Sequence, residues 1–288
     1  MIFFYHKWKL DVKVAIIGCG AIGREIALSI DARKIPNCKL SILFDTDSIK
    51  LRSLHEDLHI KPSSIFENFD ELIASNDYQD VRLVIEAASI KAAHTYAATI
   101  LRQGKDIMIM SIGAFSDPTF NETILQLLSD NDNNVFLPSG AIGGADIIRS
   151  VKNYIDKVTI ITTKSNKSLK GAPYFINKSI DIDTIKEKKV IFEGNAIDAI
   201  KEFPSNVNIS ALVSLAGIGF EKTMVQIVVD PLIKNNQHEI RVDWKFGHFQ
   251  INVDNVPSPD NPKTSYLAIL SAIECLRGIC AKNLKIGS

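Results

Sequence analysis

Short apolar runs alternate with stretches of helical periodicity through the first half of the chain. The runs are rich in β-branched residues and end at polar or glycine positions, which is typical of buried strands. We predict such strands at residues 12–17, 39–44, 81–85, 106–110 and 135–137. We predict helices between them, at residues 21–30, 49–58, 90–103 and 117–128. Because strands that are apolar almost throughout need helices on both faces, this half predicts a Rossmann-type, doubly wound parallel sheet.

The pattern changes near Pro138, where strands begin to come in pairs separated by polar turns. The predicted strands of this half are 158–163, 190–193, 225–229, 240–244 and 248–253. Two helices are predicted among them, at residues 196–203 and 209–216. Polar and apolar residues alternate over 239–244, as in a strand with one buried face. The predicted fold class is therefore α/β, with a second domain of α+β type.

The final predicted helix follows a loop rich in proline and asparagine, residues 256–263. Apolar residues recur in this helix about once per turn, at Leu267, Leu270, Ile273 and Leu276. We expect this stripe to return and cover the first domain. The predicted organisation is a dinucleotide-binding domain of residues 1–138, completed by the helix 263–288, and a substrate and dimerisation domain of residues 139–262. Because the sheet of the second domain can pair with a copy of itself, we expect a homodimer.

Composition narrows the function classes. The chain has 288 residues, of which 46% are hydrophobic and 23% are charged, so it can bury a large core. The 33 basic residues balance the 33 acidic ones, which predicts neither a nucleic-acid nor a membrane partner. No apolar run approaches the roughly 20 residues that a membrane-spanning helix needs. The 4 cysteines lack the spacing of a zinc site or a disulfide framework, so we expect no metal and a reducing, cytoplasmic setting.

A glycine motif joins the first predicted strand to the first predicted helix. It is a G-x-G-x-x-G sequence in which Gly18, Gly20 and Gly23 enclose Ala21 and Ile22. The first glycine permits a tight turn, the second leaves room for a pyrophosphate, and the third lets the helix pack closely on the sheet. The free N–H groups of the helix N-terminus attract the phosphates. In this strand–turn–helix context the motif predicts dinucleotide binding, whereas the same glycines alone would also suit an unliganded turn.

Asp45 ends the second predicted strand and is the candidate partner of the adenosine ribose. A carboxylate at this place accepts hydrogen bonds from the ribose hydroxyls and repels the 2′-phosphate of NADP. The next residue is Thr46 rather than an arginine. We therefore expect NAD as the cofactor, with NADP as the alternative.

His238 is the candidate proton carrier of the second half, near the start of a predicted strand. Histidine titrates near neutral pH, but each of the 6 histidines is more often a packing or surface residue than a catalyst. Asn261, Lys263, Thr264 and Ser265 precede the last helix and would suit a substrate carboxylate. A plain helix cap is the competing interpretation for the two hydroxyl residues.

Two further segments can approach a ligand. The segment 139–144 is rich in glycine and lies between a predicted strand and a helix, so its backbone can come close to a bound molecule. Asn208 begins a predicted helix, where it can either cap the helix or hydrogen-bond a carboxamide.

Six segments in chain order resemble the L-aspartate dehydrogenase family. They read EAAS (86–89), MSIGA (110–114), SGAIGGAD (139–146), FEGNAIDAIKEFPSNVN (192–208), DPLIKNNQHEI (230–240) and NVPSPDNPKTS (255–265). The resemblance covers about residues 12–279 and departs from the family pattern in Asn236-Gln237 before the histidine and in Ser165-Asn166-Lys167.

The resemblance implies oxidation of L-aspartate by NAD or NADP to iminoaspartate. That product either hydrolyses to oxaloacetate and ammonia or feeds quinolinate formation for NAD synthesis. It implies further that His238 is the catalytic residue and that Ala141 and Asn208 bind the nicotinamide cofactor, and we assign Ala88 to the same cofactor site. The substrate role of Lys263, Thr264 and Ser265 rests on charge alone.

Other functions remain open at this stage. A homoserine dehydrogenase or a dihydrodipicolinate reductase would share the architecture. A non-catalytic sensor would bind NAD without turnover, and a purely structural subunit would bind no cofactor. The glycine motif with Asp45 argues against the last of these.

Overall fold

A parallel sheet of six strands forms the first half of the computed structural model, which describes residues 11–204, 208–258 and 261–280. Its strands are β1 (Val12–Ile17), β2 (Cys38–Phe44), β3 (Ser64–Phe66), β4 (Leu83–Glu86), β5 (Asp106–Ile109) and β6 (Val135–Phe136). They pair in the order β3-β2-β1-β4-β5-β6, and all pairs are parallel. From β1 the next strands are added on one side of the sheet, and from β4 they are added on the other side. A crevice therefore opens at the carboxyl ends of β1 and β4. The predicted Rossmann-type fold is confirmed.

Helices cover both faces of this sheet. They are α1 (Ala21–Asp31), α2 (Ser48–Asp57), α3 (Phe69–Ala74), α4 (Asn76–Gln79), α5 (Ile90–Arg102) and α6 (Pro118–Asp130), with a 3₁₀ turn at Ile112–Ser116. Side chains cap several of them; Ser89, for example, accepts a hydrogen bond from the Ala92 N–H at the start of α5. The strand β3 and the two short helices after it were not predicted, because elements of this length show no periodicity.

A second sheet of five strands follows the helix α7 (Ala145–Val151). Its strands are β7 (Ile155–Lys164), β8 (Lys189–Asn195), β9 (Met224–Val229), β10 (Asn236–Trp244) and β11 (Gly247–Asn255), in the order β11-β10-β7-β9-β8. Only β7 and β9 pair in parallel. The intervening helices are α8 (Asn166–Leu169), α9 (Pro173–Asn177), α10 (Ala196–Glu202) and α11 (Asn208–Ala216), with 3₁₀ turns at Lys152–Tyr154 and Ile182–Thr184. The predicted α+β character of this half is confirmed.

The strand β10 begins earlier than predicted, at Asn236 rather than at residue 240. Gln237 pairs with Thr163 on β7 and with Asp254 on β11, so neighbours on both sides hold the polar start of the strand in the sheet. His238 therefore lies inside a central strand. Sequence alternation alone missed this extension because the added residues are polar.

The predicted start of the last helix at residue 263 is wrong. Residues 261–265 form the short strand β13 (Asn261–Ser265), paired with β12 (Pro257–Ser258), and α12 begins only at Tyr266 and ends at Cys280. The predicted stripe is also shifted, because Leu270 is exposed. The buried residues of the helix are Ile269, Ala272, Ile273, Leu276 and Cys280. Packing against another helix, which the sequence does not show, selects the buried face.

Two hydrophobic clusters divide the core. One contains Ile26 of α1, Leu43 of β2 and Leu276 of α12, so the last helix covers one face of the first sheet, as expected. The other runs from Ala15 of β1 to Val242 of β10 and joins the opposite face of that sheet to the second half. Because the halves share this cluster, residues from both meet along a common boundary. Among the described residues, no helix is long and apolar enough to cross a membrane.

Candidate active site

The tight turn after β1 is possible because its three glycines have no side chains. Gly18 has a φ of +100°, and a Cβ there would lie 2.7 Å from the Ala87 carbonyl oxygen. A Cβ on Gly23 would lie 1.8 Å from the Gly18 carbonyl oxygen, so only glycine lets α1 approach the strand this closely. A Cβ on Gly20 would meet nothing within 4 Å. The space above Gly20 is therefore open, at the N-terminus of a helix that no side chain caps.

Asp45 holds this turn from the end of β2. Its carboxylate accepts hydrogen bonds from the Cys19 N–H at 2.7 Å and from the Asp47 N–H at 2.9 Å. A carboxylate offers about four acceptor sites, so capacity remains for ribose hydroxyls. Asp45 lines a cavity together with Gly18, Thr46 and Ala88, which is the place expected for the adenosine half of a dinucleotide.

Glu86 is the last residue of β4 and lies below the crevice. We did not predict it as a site residue. It is 0% exposed and accepts hydrogen bonds from the N–H groups of Ala88, Ser89 and Ser111 and from the Ser111 hydroxyl, at 2.9–3.0 Å. Burial raises the pKa of the carboxyl, and these four hydrogen bonds oppose the rise. The carboxylate thus ties the end of β4 to the end of β5. An acidic residue closing an apolar strand was the signal available in the sequence.

His238 lies on β10 and is 3% exposed. Its partner across the strand pair is Thr162 of β7, whose Oγ1 is 3.1 Å from the imidazole Nδ1. This contact engages Nδ1, and His238 also lines the adjoining cavity. Burial lowers the pKa of His238 to about 3, and the nearby Lys164 contributes to the shift. The imidazole is therefore neutral near neutral pH.

Lys164 lines the same cavity as His238 and was missed in the sequence. It ends β7, directly after the β-branched residues 158–163 that predicted the strand, and is only 3% exposed. Burial lowers the pKa of its amine to about 7. Lysine is among the residues least often fully buried, so a lysine closing a central strand was the available signal.

Some of the other predicted site residues of the second half also line this cavity. Ala141 and Ser265 line it. Asn255 donates a hydrogen bond to the Ala141 carbonyl oxygen at 3.0 Å, and Asn236 donates one to the Ser265 hydroxyl at 3.4 Å. The side chains of Asn261, Lys263 and Thr264 lie outside the described part of the structure.

Asn208 connects the two halves at the wall of the crevice. Its Nδ2 donates to the Met110 carbonyl oxygen, and its Oδ1 accepts from the Gly113 N–H, both at 3.2 Å. The side chain thus bonds the backbone of the first domain from the first turn of α11. Its predicted contact with a nicotinamide stays a prediction.

Three adjoining cavities form one groove along the carboxyl edge of the first sheet. The cavity at Asp45 shares Ala88, Ser89 and Lys91 with the cavity over Gly20 and Ala21. That second cavity shares Ile22, Met110 and Asn208 with the cavity of His238 and Lys164. The acid, the bare turn and the polar inner cavity follow one another as the ribose, pyrophosphate and nicotinamide of a dinucleotide do.

Two family profiles match the chain one after the other. The profile described as "Homoserine dehydrogenase, NAD binding domain" matches residues 18–138. The profile described as "Aspartate dehydrogenase, C-terminal" matches residues 146–279. The boundary between the two matches falls in the glycine-rich segment that leads into α7.

Full-length relatives agree with the second profile. The L-aspartate dehydrogenase of Methanocella arvoryzae is 44% identical over 277 residues, which are 96% of this chain and 99% of the relative. The L-aspartate dehydrogenase of Nitrosopumilus maritimus is 41% identical over 276 residues, with shares of 96% and 99%.

Solved structures give the same result. The aspartate dehydrogenase from Thermotoga maritima has a TM-score of 0.74 at 30% identity and covers 96% of this chain and 100% of its own. A scyllo-inositol dehydrogenase from Lactobacillus casei with bound NAD(H) has a TM-score of 0.54 at 15% identity, covering 93% of this chain and 88% of its own, which shows the fold alone. The resemblance drawn from the sequence motifs is confirmed: this chain belongs to the L-aspartate dehydrogenase family.

Proposed function

We propose that this protein oxidises L-aspartate with NAD, giving iminoaspartate that hydrolyses to oxaloacetate and ammonia. One observation carries the proposal: adjoining cavities that share lining residues lead from the uncapped helix at Gly20 to the cavity that holds His238 and Lys164. The family membership supplies the substrate, because relatives of almost the same length are L-aspartate dehydrogenases.

The first domain holds the cofactor in this proposal. NAD supplies the hydride acceptor, and the protein binds and orients it. The N–H groups at the start of α1 bind the pyrophosphate above Gly20, and Asp45 accepts the ribose hydroxyls. Ala88, Ala141 and Asn208 line the path of the nicotinamide half. Because Asp45 carries a negative charge, NAD is preferred over NADP, which remains the alternative.

The second domain holds the substrate. His238 contacts the reacting atoms as a neutral imidazole, oriented by Thr162, and makes a hydrogen bond to the substrate through Nε2. Met110, Ile112 and Leu212 form apolar walls that limit the access of water. Ser265, with Asn261, Lys263 and Thr264 in the same strand, is the proposed binding segment for a substrate carboxylate.

Assembly and setting belong to the proposal as well. The face of the second sheet opposite His238 carries the half-buried Thr159 and Ile161 and the exposed Arg241, and a second copy across a two-fold axis would bury them. None of the four cysteines, all of which lie in the described part of the structure, forms a disulfide, in agreement with a reducing compartment such as the cytoplasm. There, iminoaspartate either hydrolyses or passes to a quinolinate-forming step of NAD synthesis. Light scattering of the purified protein measures the mass: twice the chain mass supports the dimer, and a monomer contradicts it.

A substrate panel tests the function. NADH formation is followed with L-aspartate, D-aspartate, L-glutamate and L-homoserine, each with NAD and with NADP. We expect turnover with L-aspartate above all others. Turnover of homoserine alone would favour a homoserine dehydrogenase, and tight NADH binding without any turnover would favour a sensor.

A further inference from the structure

We propose that Lys164 is the catalytic residue that accepts the proton from the α-ammonium group of the substrate, in the cavity that it shares with His238. The inference rests on the proposed function and adds a residue and a role to the same site. His238 is then the hydrogen-bonding partner of the reacting group rather than its base.

The sheet places the two side chains together. Thr162 faces His238 across the β7–β10 pair, and Lys164 lies two residues beyond Thr162 on the same strand. Residues two apart in a strand point to the same face, so Lys164 shares the face of the imidazole. Both residues line the inner cavity, with Asn208 and Ala141 on its other walls. A substrate amine within reach of the imidazole is therefore also within reach of the lysine.

The electrostatics of the cavity divide the roles. Among the described residues that line it, the titratable groups are Lys164 from β7 and His238 from β10. With a pKa of about 3, the imidazole is a weak proton acceptor near neutral pH. With a pKa of about 7, the amine of Lys164 is close to half neutral there, which is the range that favours general base catalysis. Burial is the main cause of both lowered pKa values, because it disfavours a positive charge on either group.

The proton transfer balances within the proposed reaction. The lone pair of the neutral Lys164 Nζ takes a proton from the α-ammonium group, giving a lysine ammonium and a neutral substrate amine. The Cα–H bond then breaks, and its electron pair leaves as a hydride to the oxidised nicotinamide. The nitrogen lone pair forms the C=N bond of iminoaspartate. Without the first step the nitrogen has no lone pair to donate, so deprotonation by the base must precede the oxidation.

A charged Lys164 that binds a substrate carboxylate is the competing role, and pH separates the two. A base must be neutral, so kcat/KM rises with pH through about 7 and then levels off. A carboxylate-binding cation must be charged, so kcat/KM would instead fall as pH rises through the same value.

Three variants of Lys164 and one control variant test the proposal. Lys164→Arg keeps the cation but cannot release its proton near neutral pH, and Lys164→Met removes the charge at similar length. We expect both to lower kcat by about 100-fold or more and to lose the rise near pH 7, while NADH binding stays unchanged. Lys167→Met is the matched control, because Lys167 is exposed three residues away, and it should keep the parental rate. In Lys164→Ala, added methylamine should restore part of the rate.

Titration of the unliganded protein gives a readout independent of turnover. Lysine labelled with ¹³C at Cε should show one resonance that titrates near pH 7 and is missing in Lys164→Arg. A Lys164→Arg protein with near-parental turnover, a kcat/KM that falls through pH 7, or a Lys164 resonance that titrates near 10 would each overturn the proposal. Lack of turnover by the parental protein on the whole substrate panel would instead refute the proposed function, so the two failures are distinct.

Discussion

The two ends of the groove are built in different ways. The glycine turn comes from one strand–turn–helix unit, in which Gly18, Gly20 and Gly23 act through the side chains they lack. The inner cavity collects residues from β7, β10, β13, α11 and the segment before α7, which are far apart in the chain. The turn offers backbone N–H groups to an anion, whereas the cavity offers buried side chains to a reacting group. A local motif can therefore reveal the cofactor, while the chemistry depends on tertiary contacts.

Burial separates the two ends as well. Asp45 at the outer end is partly exposed and bonded to backbone N–H groups. His238 and Lys164 at the inner end are almost fully buried, and burial lowers both of their pKa values. Substitutions at the outer end should change cofactor binding, and substitutions at the inner end should change the rate and its pH dependence.

The largest effect is expected at the inner end. His238→Asn should lower kcat by about 10²–10³-fold and leave the dissociation constant of NADH near the parental value, because the imidazole hydrogen-bonds the reacting group of the substrate rather than the pyrophosphate. Steady-state kinetics and NADH fluorescence titration measure the two quantities. His248→Asn on the exposed strand β11 is the control. Equal losses in both variants would contradict a special role for His238.

The same residue gives a pH prediction for stability. The pKa of His238 is lowered from 6.5 to about 3 in the folded protein, so the unfolded chain takes up a proton first as pH falls. The parental protein should therefore lose stability relative to His238→Asn between pH 6.5 and 3, by up to about 1.4 kcal/mol per pH unit. Urea unfolding of both proteins across this range measures the difference. A constant difference would show that the imidazole is charged when folded.

Alanine substitution at two glycines of one motif should affect different properties, stability at Gly23 and NADH binding at Gly20. Gly23→Ala places a Cβ against the Gly18 carbonyl oxygen and should lower the free energy of unfolding by about 3 kcal/mol. Gly20→Ala places its Cβ in open space, so it should fold normally but weaken NADH binding about tenfold, or about 1.4 kcal/mol. Thermal unfolding and NADH titration check both variants. Similar loss of stability in both would mean that Gly20 is not reserved for a ligand.

Glu86→Gln should weaken the hydrogen bonds that connect the end of β4 to the end of β5. An amide cannot accept hydrogen bonds at both of its ends, so the variant leaves the Ser111 N–H or the pair of Ala88 and Ser89 without an acceptor. We expect a loss of about 1–3 kcal/mol in the free energy of unfolding, measured in urea. Glu122→Gln on the surface helix α6 is the control. Equal stability of the two variants would contradict this role of the buried carboxylate.

The smallest effect is expected for cofactor choice. Asp45→Asn removes the charge that repels a 2′-phosphate and should raise the ratio of kcat/KM with NADP to that with NAD about tenfold. Asp47→Asn, which changes the cap of α2 beyond the cavity at Asp45, should leave the ratio unchanged. The ratio is measured with both cofactors at fixed L-aspartate. A ratio that does not respond to Asp45 would place the ribose elsewhere.

The sequence by itself determined the type of both domains, the glycine turn and the family. These rest on local patterns: apolar runs, helical periodicity and motifs of consecutive residues such as the segment 139–146. Only the tertiary structure decided that Lys164 and Glu86 are buried, that β10 extends to Asn236, and that residues 261–265 pair as a strand before α12. The physical reason is that burial and strand pairing depend on partners distant in the chain. A lysine at the end of a strand is a solvated cation or a buried amine according to what packs over it.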